Sequence, residues 1–165
     1  MQILYQLDLR ADEDMDRLRE GFLADSESPE LTQAAWALAS AAWADHAQAD
    51  AIVAEFAPDW PTPRQPPVDR AILRLAFHEM VSGHAPPSVA IDEALELAHA
   101  FCAEESPPFI NGILDAIRKR LEAEGRLPAE SKTRDKAGGS AGGSAGSRGG
   151  SAQDWLDDAV REANT

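Results

Sequence analysis

The stretch VDRAILRLAFHEMVSG, residues 68–83, decides the fold class. Val68, Ala71, Ile72, Leu75, Ala76 and Met80 recur at helical spacing, and Gly83 supplies a left-handed stop, so the segment reads as a helix with one buried face. Asp69, Arg70 and Arg74 fall on its polar side, read either as an ordinary solvated face or as a polar rim for a partner. Downstream, Pro86 and Pro87 lead to Ser88 as an N-cap, followed by Val89, Ile91, Ala94, Leu95, Ala98, Phe101 and Cys102 on one stripe. Asp92, Glu93 and Glu96 are expected in the first turns of that helix, where its dipole favours anions. Ser106 then caps a helix with Pro107 in its first turn and Ile110, Ile113, Leu114, Ile117 and Leu121 on the apolar face, ended by Gly125 and Pro128. Asn111-Gly112 falls inside this helix, and a mid-helix glycine costs up to about 1 kcal/mol relative to alanine, which suggests close approach by something.

Upstream, residues 31–56 carry Leu31, Ala35, Leu38, Ala42, Ala49, Val53 and Phe56 on a single stripe and read as one long helix that the prolines from Pro58 terminate. Ile3, Leu4 and Leu7 read as the last turns of a helix that begins in mid-stripe without a cap. Nothing alternates with period two, so the class is all-α.

Composition shifts after residue 128. Residues 137–152, AGGSAGGSAGSRGGSA, have little to bury, so residues 129–152 read as a flexible Gly/Ser-rich linker. Residues 153–165 hold a short amphipathic segment around Trp155, read as an unused terminus or as a docking peptide anchored by that tryptophan. The division is therefore a helical domain over 1–128, a linker and a short C-terminal segment.

The net charge is −14, with 10 basic and 23 acidic residues before Pro128, which excludes nucleic-acid binding by bulk positive charge. Any RNA contact has to be local. The lone Cys102 and the absence of a secretory signal or an apolar span point to the cytoplasm and away from membranes. No nucleophile elbow, phosphate loop or metal-ligand spacing occurs, and His99 with Cys102 supplies at most two of the three or four ligands zinc needs. No catalysis, metal or cofactor is expected. Trp36, Trp43 and Trp60 are expected in the core. Tyr5 and Phe109 can pack internally or stack on an unpaired base.

The motifs VDRAILRLAFHEM (68–80), PPSVAIDEALELAHAF (86–101) and SPPFINGILDAI (106–117), with the opening ILYQLD (3–8), resemble in order and spacing the NusB family of transcription antitermination factors. The resemblance covers roughly residues 1–120. It implies a bundle of two small helical subdomains that acts without a cofactor. It implies binding to single-stranded boxA-type RNA of ribosomal leaders together with the NusE ribosomal protein, in an RNA polymerase antitermination complex. Carried over by motif, Gln2, Tyr5, Phe109 and Asn111 fall on the RNA-facing surface, with stacking and base-edge hydrogen bonds as their roles. Asp69, Arg70 and Glu105 fall near the shared contact zone with the protein partner.

One departure bears on affinity. The family's Arg-rich segment just before the "A-L-Y-Q" helix has no counterpart here, because nothing stands upstream of Met1. Met1 is then either an internal methionine of a longer protein, which the uncapped start favours, or the start of a short form that binds RNA weakly. The rival to an RNA-binding factor is a protein-only helical interaction module that lost RNA binding with that segment.

Overall fold

The computed structural model describes residues 1–10 and 15–127. The linker over 129–152, the C-terminal segment over 153–165 and Trp155 lie outside the described residues. Among the described residues seven α-helices run in the order α1 (Gln2–Leu9), α2 (Met15–Ala24), α3 (Pro29–Ala44), α4 (His46–Phe56), α5 (Pro67–Ser82), α6 (Pro87–Phe101) and α7 (Ser106–Ala123). A 3-10 turn, Thr62–Arg64, stands between α4 and α5. The described residues contain no strand, in agreement with the all-α reading.

Two apolar clusters organise the chain, as expected for two helical subdomains. One joins Ile3, Leu4 and Leu7 of α1, Leu18 of α2 and Trp36, Ala39 and Ala42 of α3. The other is built from α4 to α7 around Phe77, Met80, Ile110, Leu114 and Ile117. Helix α5 belongs to both, touching α1, α3, α4, α6 and α7. A helix enclosed on that many sides has no solvated face.

That enclosure corrects the reading of α5. Asp69 and Arg74 are buried and Arg70 is half-buried. Arg70, Arg74 and His78, four residues apart, form a stripe that meets Asp8 of α1, Asp50 of α4 and Asp45. Hydrophobic periodicity sorts residues into apolar and polar faces, but cannot tell a polar face in water from one met by carboxylates of neighbouring helices.

Residues 31–56 are two helices rather than one. Asp45 leaves the helical ladder (φ −89°, ψ 0°), its N–H bonding to the carbonyls of both Ala41 and Trp43, and its carboxylate sits 2.7 Å from His78 Nδ1. The break lets α3 serve one cluster and α4 the other. The apolar stripe keeps its phase across Asp45, and no Gly or Pro marks the break, so periodicity runs through it.

Helix α2 carries a single buried residue, Leu18, too few for a stripe in the sequence. Helix α6 starts at Pro87, so Ser88 lies within it rather than capping it, and Asp92, Glu93 and Glu96 fall beyond the first turn. Ser106 likewise begins α7, and its hydroxyl donates to Asp69 Oδ2 at 2.8 Å instead of capping. Gly83 adopts the expected left-handed conformation, φ +74°.

Gly112 has no close neighbour within the chain: a Cβ there meets nothing within 4 Å. The expected approach therefore does not come from the described residues. Gly112→Ala should raise stability by about 0.5–1 kcal/mol, the ordinary helix-interior difference. Urea unfolding measures it, and a loss of stability would show that the open space is filled in solution.

Candidate RNA and partner interface

Two separate concavities hold the two aromatics singled out in the sequence. Tyr5 is half-buried on α1, and with exposed Gln2 and with Arg17, Leu18 and Phe22 of α2 it lines the first, of about 790 Å³. Phe22 is braced by Trp36, ring centroids 6.0 Å apart. Arg17 is exposed and makes no ion pair among the described residues.

Phe109 is half-buried in the first turn of α7 and lines the second concavity, of about 460 Å³, with Phe56, Trp60, Gly112 and Ala116. Trp60 stacks on it with centroids 5.5 Å apart and planes 30° apart. Trp60 is 46% exposed, so it is not the core residue expected. Trp36 is buried as expected, and Trp43 is half-buried, stacked on His46 with the Arg74 guanidinium 5.3 Å over its ring. Asn111, next to Gly112, is exposed. No residue lines both concavities, so Gln2 with Tyr5 and Phe109 with Trp60 form two patches and not one.

The three residues expected at the partner zone divide by burial. Glu105 is exposed directly before α7. Asp69 is only 3% exposed and accepts the Ser106 hydroxyl, fixing the start of α7 against α5. Its carboxylate also faces Cys102, whose thiol is pushed up to about 12 by burial and by Asp69, so the cysteine is held as a protonated packing group. Arg70 Nε donates to Asp8 Oδ2 at 3.1 Å, and its Nη1 donates to the carbonyls of Thr62 (3.1 Å) and Gln65 (2.9 Å). Arg70 thus ties α1 to the 3-10 turn that follows Trp60.

Sequence reasoning did not place Arg17 beside Tyr5 or Trp60 beside Phe109. Trp60 had a signal: a tryptophan between Pro58 and Pro61 has no helical stripe to join. Arg17 had none, since its surroundings depend on how α2 packs.

The fold defines a class, an all-helical bundle with no strand among the described residues. No helix among the described residues is long and apolar enough to cross a membrane. A model of the NusB family matches residues 1–119. The chain is 38% identical over 119 residues to the transcription antitermination protein NusB of Saccharopolyspora erythraea, covering 71% of this chain and 80% of that protein. It is 37% identical over 132 residues to that of Oleidesulfovibrio alaskensis, covering 74% and 84%. The solved structure of NusB from T. maritima superposes with a TM-score of 0.62 at 32% identity, covering 72% of this chain and 84% of that one. The chain belongs to the NusB family of transcription antitermination proteins, which are not enzymes.

Proposed function

We propose that this antitermination protein binds single-stranded boxA-type RNA jointly with the NusE ribosomal protein, in the cytoplasm, within an RNA polymerase antitermination complex. One observation carries the reading: Tyr5 and Phe109 are each half-buried at the wall of an open concavity, anchored by the core yet accessible to a flat ligand. Exposed Gln2 and Asn111 supply amide donors and acceptors for base edges. Glu105 meets the protein partner, while Asp69 and Arg70 position the start of α7 and the turn after Trp60 rather than touching a ligand.

Electrostatics set the expected strength. Arg70 and Arg74 are occupied by Asp8 and Asp50, so few cations remain for phosphates. Binding of RNA to the chain alone should be weak, with a shallow salt dependence, and NusE should strengthen it. Tyr5→Ala should weaken the joint complex by about 1–3 kcal/mol, the usual loss for one stacked base. Fluorescence anisotropy of a labelled boxA RNA, with and without NusE, measures both. A complex that takes up NusE but no RNA would instead establish the protein-only module, which the acidic surface favours.

A further inference from the structure

We propose that Trp60 is a base-stacking residue, forming with Phe109 a two-ring platform for an unpaired RNA base. The inference rests on the RNA-binding reading above and extends it to a residue in the loop between α4 and α5.

The indole is held in place while remaining open to solvent. Its Nε1–H donates to the Arg64 carbonyl at 3.1 Å, and the Gln65 amide, itself buried, donates to the Trp60 carbonyl at 2.9 Å. Arg70 holds the same turn through the Thr62 and Gln65 carbonyls. With backbone and polar edge both fixed, the residue keeps its 46% exposure without being frayed. Leaving that much of a tryptophan in water forfeits burial energy that a core position would have supplied.

The surroundings fit a nucleotide. Phe109 backs the indole, and Gly112 leaves the concavity without a Cβ where no described residue fills the space. Asn111, the chain neighbour of Gly112 though not itself in the lining, is exposed and carries an amide for a base edge. Arg64, whose carbonyl holds the indole, is exposed and makes no ion pair among the described residues. Most other described cations are taken: Arg70, Arg74, Arg118, Lys119, Arg120 and Arg126 all pair with carboxylates. Arg64 is carried on the turn whose carbonyl holds the indole, and there its guanidinium would serve a phosphate next to a stacked base, although exposed Asp59 reduces the net attraction.

The test uses the full chain with NusE and a single-stranded boxA RNA oligonucleotide. Trp60→Ala should weaken RNA binding about 5- to 100-fold, Trp60→Phe should restore most of it, and thermal melts should confirm that both variants are folded. Wild-type tryptophan emission should be quenched on RNA addition, and that change should disappear in Trp60→Phe. Arg64→Ala should reduce the salt slope by about 0.7, the loss of one phosphate contact. If Trp60→Ala binds RNA as tightly as wild type while Tyr5→Ala does not, the Trp60 inference falls and the RNA reading stands. If Trp60→Ala weakens NusE binding in the absence of RNA, the platform is a protein contact and the inference is overturned. If no variant, nor the wild type, takes up RNA, both fall together.

Discussion

Arg74→Ala should destabilise the protein by about 3–5 kcal/mol, a large part of the 5–15 kcal/mol typical of a folded domain. Arg74 is 5% exposed and serves two carboxylates at once, donating to Asp50 Oδ1 and Oδ2 at 2.8 and 2.7 Å and to Asp8 Oδ1 at 2.6 Å. Removing it leaves Asp8 with only Arg70 and Asp50 without its cation, while helices α1, α4 and α5 lose their shared tie. Burial by itself raises the Asp8 pKa, but the hydrogen bonds and charges of Arg74 and Arg70 outweigh it and hold the carboxyl below its usual range. A depressed folded pKa means that this stability is present above the unfolded value of about 3.9 and is lost as pH falls through the folded one. Urea unfolding at pH 7 measures the Arg74→Ala loss. Adding Asp8→Ala should then cost less than it does in the wild type, because the two losses share one interaction. A loss below 1 kcal/mol, or strict additivity, would assign the network to the surface class of ion pairs.

That network also marks where the sequence stops being legible. Helix existence, the all-α class, the Gly83 stop and the buried stripes of α5 and α7 follow from local periodicity and survive packing, because each depends only on neighbours along one helix. The solvent face assigned to Arg70 and Arg74 fails because their partners lie more than 20 residues away, on helices whose docking the local pattern does not contain. The continuous 31–56 helix fails for a related reason, since Asp45 reaches α5 through a tertiary contact. For the site, motif order identifies Tyr5 and Phe109, and both lie at open concavities. Their neighbours Arg17 and Trp60 come from a weakly patterned helix and a proline-bounded loop, and only the assembled fold brings them alongside.

Glu79→Gln should stabilise the protein increasingly as pH rises, by about 3 kcal/mol at pH 8 relative to pH 4.5. Glu79 is 7% exposed on α5 and borders an apolar groove among α1, α3, α5 and α6. Burial is the main cause that moves its carboxyl from 4.5 to about 7; the Met1 amine opposes the shift and Glu93 adds to it. Glu93 faces the same groove and is itself raised by burial and by Glu96 and Asp92. A raised folded pKa makes the native state the better proton binder, so the stability it contributes is complete below about 4.5 and is lost as pH climbs through 7. Glutamine has the same shape and no charge to desolvate, so its stability should not carry that slope. At about 1.4 kcal/mol per pKa unit, a displacement of two and a half units amounts to about 3.5 kcal/mol in full, of which about 3 falls between pH 4.5 and 8. Urea midpoints of both proteins between pH 4.5 and 8 measure it, with Glu93→Gln as the comparison for the second carboxylate. Parallel curves would mean that water reaches the Glu79 carboxylate, and the groove beside α1 would then be an open wet channel and not an apolar seat. A widening gap would show that α5 tolerates a charge only where another helix answers it, as Asp8 and Asp50 answer Arg74 and as no described residue within hydrogen-bond reach answers Glu79.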